Sequence, residues 1–291
     1  MKNFIKITSA IVIVAFIVGP AYLSLAALDD ATLIAYYTLD ESSDGSGPIT
    51  RQDSHTGNND LTDNNGTPSA TGKISNGASF TTANSEYLND GNVFDNPGSF
   101  TFSVWVKVTG TSVNQGVFNK IGAAGSAQGL SGIVLSTGDG DYPGSFQMHI
   151  QTDGDQYKQR SSGTTRVDDG AFHFIVVDWD GTDTSNTSDG MHIYIDNSVD
   201  LGVDHGSSFQ IDSLTNALNF ELGRNGQGGT IRYFGGIVDE FGMWFNRVLT
   251  ADERTTLWNN GAGLTYPFSA ASEAKPRRVI IFKFEQPINL T

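Results

Sequence analysis

The run Phe100-Thr101-Phe102-Ser103-Val104-Trp105-Val106-Lys107-Val108 places Phe, Phe, Val, Val and Val at every second position. A period of two is the repeat of a pleated strand, whose successive side chains point to opposite faces. The run therefore predicts a half-buried strand. Residues 145–151 alternate in the same way, and Phe172–Trp179 is apolar on both faces, as a central strand of a sandwich would be. Residues 191–199 read as a strand entering a tight hairpin at Asp196-Asn197, two residue types that tolerate positive φ. Residues 33–39, 78–82, 116–121, 132–136 and 218–223 read as further strands, with Gly, Asn, Asp and Ser between them. Short strands with frequent turns and no sustained helical period predict an all-β sandwich or barrel. One short helix near the C-terminus stands apart. Thr250 and Glu253 form a capping box, the helix is expected to run to Asn260 and stop at Gly261, and Leu257 and Trp258 pin it to the sandwich.

The two ends differ from this middle. Lys2 and Lys6 precede an apolar run over residues 10–18, Gly19-Pro20 breaks it, and Ser24-Leu25-Ala26 supplies small residues at a cleavage spacing. Residues 1–28 thus predict a secretory signal peptide, cut after Ala26 or, second, after Ala27. The alternative is a retained N-terminal anchor, although the unbroken apolar stretch is short of the ~20 residues of a membrane span. Either reading puts the chain outside the cytoplasm, secreted or at a cell surface. Residues 269–291 form a basic tail with Lys275, Arg277, Arg278 and Lys283 and a strand-like stretch over 279–284. The domain proper is expected over 29–268.

The formal net charge is −15, and both ends are basic, so residues 29–268 are more acidic still. A strongly acidic surface excludes a general electrostatic grip on DNA or RNA, which needs clustered Lys and Arg. It also argues against anionic lipid heads. The absence of cysteine excludes disulfides, thiolate metal sites and thiol nucleophiles.

Several segments resemble a known family in order. Residues 34–41 look like its first strand, Asp53-Ser54-His55-Thr56-Gly57-Asn58-Asn59 resembles its Asp/Ser/Gly/Asn loop, and residues 77–80 and 86–88 resemble the next two strands. The strand at 100–107 and the closing signature Gly236-Ile237-Val238-Asp239-Glu240-Phe241 with Asn246-Arg247-Val248-Leu249-Thr250 complete the set. Over about residues 30–268 the chain resembles the laminin-G-like, concanavalin A-like lectin/glucanase superfamily. The resemblance implies an all-β, two-sheet antiparallel jelly roll with one short C-terminal helix. It also implies a Ca²⁺ where the first strand meets the closing strand, which would recruit Asp40 and Asp239, with backbone carbonyls from the Asp53–Asn58 or Thr71–Lys73 region. Calcium takes six to eight hard oxygens, and the loops are rich in Asp and Asn. Asp40 can instead cap a turn, and Asp239 can accept backbone N–H groups.

Catalysis is not expected. Retaining glycosidases need two carboxylates about 5–5.5 Å apart, and those of this fold carry them on one strand as Glu-Xaa-Asp-Xaa-(Xaa)-Glu. No such spacing occurs. Glu221 is alone on its strand, and in an unbroken strand the adjacent Asp239 and Glu240 point to opposite faces. A lectin site would combine aromatic faces with amides and charges. Gln147, His149 and Gln151 share the non-core face of one strand, while Tyr142, Tyr157 and Arg160 are expected in or near turns that rim a groove. The leading expectation is a non-catalytic carbohydrate-binding domain with a structural Ca²⁺ whose partner is a glycan. The alternatives are an adhesive, protein-binding sandwich at a surface, and a glycoside hydrolase using an atypical pair such as Glu221 and Glu240.

Overall fold

The structure is a computed structural model that describes residues 28, 31–56, 58–95, 97–109, 114–120, 132–137, 144–151, 157–163, 165–182, 190–200, 202, 204–206, 214–226 and 231–268. The expected cleavage site, the basic tail and Tyr142 lie outside them. The strands in chain order are β1 (Leu33–Tyr37), β2 (Thr50–Arg51), β3 (Leu61–Asn64), β4 (Ser69–Thr71), β5 (Asn76–Phe80), β6 (Tyr87–Asn89), β7 (Phe100–Val108), β8 (Gln115–Asn119), β9 (Gly132–Thr137) and β10 (Phe146–Gln151). They continue as β11 (Tyr157–Ser161), β12 (Phe172–Trp179), β13 (Met191–Ile195), β14 (Ser198–Val199), β15 (Asp204–Gly206), β16 (Glu221–Leu222), β17 (Arg224–Asn225), β18 (Arg232–Tyr233) and β19 (Gly236–Phe245). A single helix, α1 (Ala251–Trp258), follows.

Two antiparallel sheets stack face to face. One runs β14-β13-β12-β7-β19-β5-β4, with β1 also pairing β19, and the other runs β15-β11-β10-β9-β8-β16-β6-β3-β2. The alternation in β7 becomes a division between two cores. Phe100, Phe102, Val104, Val106 and Val108 face the other sheet in the main core. Trp105 faces outward into a second core with Tyr36, Phe174, Trp244, Leu257 and Phe268. β12 lies between β7 and β13 and buries both faces, as its doubly apolar sequence requires. The hairpin between β13 and β14 turns at Asp196 and Asn197, both at positive φ.

The helix differs from its expected length. Its capping box is present, with the Thr250 hydroxyl accepting from the Glu253 N–H and the Glu253 carboxylate accepting from the Thr250 N–H. It stops two residues earlier than expected because Asn259 and Asn260 already adopt left-handed φ, a conformation Asn tolerates at helix ends. Tyr157–Ser161 is a strand rather than a turn, and it pairs β10 along its full length.

The second core closes the domain end to end. Trp244 is fully buried, and its Nε1–H donates to the Leu28 carbonyl at 2.9 Å. The Trp244→Ala variant is expected to lose about 3–5 kcal/mol of stability, the range for emptying a buried aromatic site. Urea denaturation followed by tryptophan fluorescence and far-UV circular dichroism measures it.

Candidate functional site on the nine-stranded sheet

In β3, β6, β8 and β16 alternate residues face the core, namely Leu61, Leu88, Phe118 and Leu222. Their neighbours face out. The register aligns Thr62 with Asn89, Asn89 with Glu221, and Glu221 with Asn119. The same row continues through Val134 to His149 and Gln159 on β9, β10 and β11. Residues scattered over the chain thus form one line perpendicular to the strands.

The part of the row around Glu221 is a bonded constellation. Glu221 is 7% exposed and accepts from Asn119 Nδ2 at 3.1 Å and from Arg224 Nε at 2.6 Å, with Arg224 Nη2 on its second oxygen. Burial opposes the charge on Arg224, but Glu221 outweighs it and raises the guanidinium pKa above its ordinary value. The guanidinium lies 3.8 Å over the Tyr87 ring, a stacked cation–π contact. Tyr233 stands 6.4 Å from Tyr87 at 43°. Asn64 Nδ2 donates to Asn89 Oδ1 at 3.0 Å. Asn64, Tyr87, Asn89, Arg224 and Tyr233 are each half-buried, so the patch is built and still reachable.

Two glycines let the backbone place these groups. Gly223 has φ +88°, and a Cβ there would lie 2.4 Å from the Phe80 ring, so the turn from β16 into β17 requires glycine. At Gly116 a Cβ would lie 2.1 Å from the Arg224 carbonyl carbon. The β17–β18 hairpin can therefore cross β8 closely, where Asn119 Nδ2 donates to the Arg224 carbonyl at 2.7 Å.

The expected lectin residues fare differently. Gln147, His149 and Gln151 do share one face of β10, but they are 6%, 3% and 6% exposed. Burial pushes the His149 pKa down to about 4 against its contact with Gln159, so its imidazole is neutral at pH 7. Arg160 pairs Met148 in register, which turns it to the opposite face from His149. Tyr157 lies in strand β11 opposite Gln151 in backbone register. The accessible aromatic–amide patch lies on β3, β6, β16 and β17, where Tyr87 had served only to mark a strand.

The expected metal residues split into two places. Asp53 Oδ1 accepts from the N–H groups of Tyr36 and His55, and Oδ2 accepts from Thr56 Oγ1 and Asn59 Nδ2. Burial would raise its pKa, but these bonds outweigh it and hold it low. Asn58 is exposed. Asp40 and Asp239 meet at the 72–76 turn. Asp40 Oδ1 accepts from Asn76 N–H, and Asp239 Oδ2 accepts from Lys73 and Ile74 N–H at 2.7 and 2.9 Å.

Glu240 corrects the sequence reading. Pairing of β19 with β7 slips between Asp239 and Gly242, and Glu240 has φ +50°. This bulge breaks the alternation. Asp239 and Glu240 therefore both lie on the outer side of the sheet, Asp239 opposite Trp105 and Glu240 beside Tyr36 and Thr265. Both are essentially buried, and Asp239 Oδ1 and both Glu240 oxygens lack a hydrogen-bond partner. Burial pushes Asp239 up to about 7 against its two backbone N–H bonds, and Asp40 adds to the rise. Burial likewise pushes Glu240 up to about 8, with Asp239 and Asp40 adding to it. These orphaned hard oxygens suit Ca²⁺ chemically, with backbone carbonyls needed to complete a shell. Among the described residues no three His, Asp or Glu side chains group as a metal site.

The chain matches the family described as the concanavalin A-like lectin/glucanases superfamily over residues 80–253, more than half its length. The chain belongs to the concanavalin A-like lectin/glucanases superfamily. The chain is also similar to several solved structures. Domain 4 of AbnA, a GH43 extracellular arabinanase from Geobacillus stearothermophilus, in complex with arabinotriose, is 17% identical with TM-score 0.49, covering 77% of this chain and 97% of that one. The botulinum neurotoxin serotype D binding domain is 12% identical with TM-score 0.50, covering 81% of this chain and 52% of that one. The Ruminococcus gnavus IT-sialidase CBM40 bound to alpha2,6 sialyllactose is 17% identical with TM-score 0.41, covering 54% and 82%. No curated protein sequence matches. In this concanavalin A-like domain Glu221 is the one carboxylate among the described residues of the cross-strand row, and Arg224 holds both its oxygens.

Proposed function

We propose that this concanavalin A-like domain is an exported, non-catalytic carbohydrate-binding domain. Its glycan site is the outer face of the nine-stranded sheet around Asn64, Tyr87, Asn89, Arg224 and Tyr233, with Asn119 and Glu221 buried beneath them. The observation that carries the reading is the pre-ordered, half-open patch in which two tyrosines, two amides and one ion pair converge. Tyrosine rings offer apolar faces to sugar C–H groups, and amides bond hydroxyls. Glu221 has no second carboxylate on its row, and its oxygens are bound to Arg224, so the two-carboxylate chemistry of glycosidases has no support there.

A structural Ca²⁺ belongs to the same proposal. Asp239 and Glu240 would hold it together with backbone carbonyls, and the ion would supply the positive charge that two adjacent buried carboxylates otherwise lack.

A glycan array probed with the chain in Ca²⁺ buffer tests the lectin reading. Binding is expected to at least one glycan class and to fall at least tenfold in Tyr87→Ala, with the circular dichroism spectrum unchanged. An array that stays blank would remove the reading.

A further inference from the structure

Resting on the glycan reading above, we propose that the ligand is a neutral oligosaccharide, lying across the strands along the Thr62–Asn89–Glu221 row, and that the Glu221–Arg224 pair is what excludes acidic sugars. An acidic glycan needs an available guanidinium or ammonium to meet its carboxylate or sulfate, as bidentate arginine does elsewhere. Arg224 is the guanidinium in the patch, and Glu221 and Tyr87 both engage it. Its Nε and Nη2 bond the two Glu221 oxygens, and its face covers Tyr87. Arg232 pairs Asn225 on the hairpin, one position out of step with the Arg224–Tyr233 pair, and so projects from the other face.

What the patch offers a ligand is amide and ring. Asn64 and Asn89, both half-buried, are side-chain carboxamides, which donate to and accept from hydroxyls alike. Glu221 and Arg224 together form a charge-neutral pair, which leaves an incoming carboxylate no net positive charge to meet. The chain's net charge of −15 adds a long-range penalty against anionic ligands.

The register also sets a length. Thr62, Asn89 and Glu221 occupy three neighbouring strands. Two strand spacings of ~4.8 Å make about 10 Å. That span suits a short oligosaccharide better than a monosaccharide, and it directs the sugar chain perpendicular to the strands.

Isothermal titration with the full domain separates the possibilities. The probes are neutral gluco-, xylo-, manno- and arabino-oligosaccharide ladders, set against oligogalacturonate, sialyllactose and heparin oligosaccharide. Binding to a neutral series is expected, with affinity climbing over the first few sugar units and then levelling, and with little dependence on salt. Preference for an acidic glycan, weakening steeply with salt, would overturn the inference and leave the lectin reading standing. No binding to either class would end both.

Glu221→Gln supplies an independent arm, because it leaves the shape and frees the guanidinium. Its affinity for oligogalacturonate is expected to rise about tenfold, the worth of one charge-assisted hydrogen bond. Its affinity for the neutral ligand is expected to fall. An unchanged ratio of the two affinities in a folded Glu221→Gln protein would overturn the gating role of the pair.

Discussion

Arg224→Ala should reduce glycan affinity about a hundredfold and destabilise the domain by about 2–3 kcal/mol, and the two losses should separate in a double variant. Arg224 has three roles in the structure, two of them through its guanidinium. It neutralises Glu221, which is nearly buried, through two oxygens. It fixes the Tyr87 ring by lying 3.8 Å over it. Its backbone carbonyl, which alanine retains, accepts from Asn119. Removing one partner of a buried ion pair costs about 3–5 kcal/mol. Arg224 keeps a fifth of its side chain in solvent, so the lower figure applies. The remaining bond from Asn119 leaves Glu221 with one neutral donor.

Adding Glu221→Gln to Arg224→Ala removes the stranded charge, so most of the stability should return. Binding should not return, because Tyr87 still lacks its stack. Chemical denaturation and titration calorimetry on the two single variants and the double variant measure both quantities. Recovery of affinity together with stability would mean that Arg224 acts through folding alone and makes no separate contribution to the site.

The sandwich was legible because its strongest segments carry their own signal. Phe100–Val108 alternates through nine residues, and Phe172–Trp179 is apolar on both faces. Each pattern states its burial without reference to any other strand. The helix was legible from its capping box, which is local chemistry. β11 was missed because Tyr-Lys-Gln-Arg-Ser contains no aliphatic residue. Its Lys158 is nevertheless fully buried, paired opposite Ile150. Such a strand exists by pairing, and pairing is not a property of its own sequence.

The site was less legible for the same reason. Asn119 and Glu221 are 102 residues apart and meet only through the register of β8 with β16. The outward positions Thr62, Asn64, Tyr87 and Asn89 did carry a weak polar alternation with Leu61 and Leu88. Nothing in that pattern says which strand lies next to which. His149 illustrates the converse, since its face was read correctly while its burial depends on chain elsewhere. The bulge at Glu240 was hidden more deeply. Glutamate has no preference for positive φ, so only the demands of the surrounding sheet reveal that Asp239 and Glu240 turn to one side.

That bulge governs the largest expected response to solution conditions. In metal-free buffer containing EDTA, stability should fall as pH rises from about 4 to 8. The sign follows from proton linkage. An unfolded carboxyl releases its proton near pH 4, whereas Asp239 and Glu240 in the folded chain hold theirs up to about 7 and 8. Their stabilising contribution is complete below the unfolded value and is lost as pH rises through the folded ones. Each pH unit of mismatch is worth about 1.4 kcal/mol, so the coupled pair accounts for a loss on the order of several kcal/mol. Burial raises Asp239 and Glu240 against two backbone bonds on Asp239 and the neighbouring hydroxyls of Tyr36 and Thr265 on Glu240.

Calcium should reverse the trend, because it favours the charged forms that the protein otherwise resists. At a hundredfold excess over its Kd the ion adds about 2.7 kcal/mol, or roughly 5–10 °C in melting temperature for a domain of this size. The gain should grow with pH. Mg²⁺ should restore little, since it demands a tighter octahedral shell. Asp239→Asn keeps the shape and removes one charge. It should flatten the pH dependence in EDTA, raise stability at pH 8 and blunt the response to Ca²⁺, with the far-UV spectrum intact. Melting curves at pH 5 and pH 8, with EDTA and then with Ca²⁺, read all of these at once. If Asp239→Asn flattens the pH profile while Ca²⁺ shifts neither protein, the buried pair is compensated by protons, and calcium has no place at this edge of the sandwich.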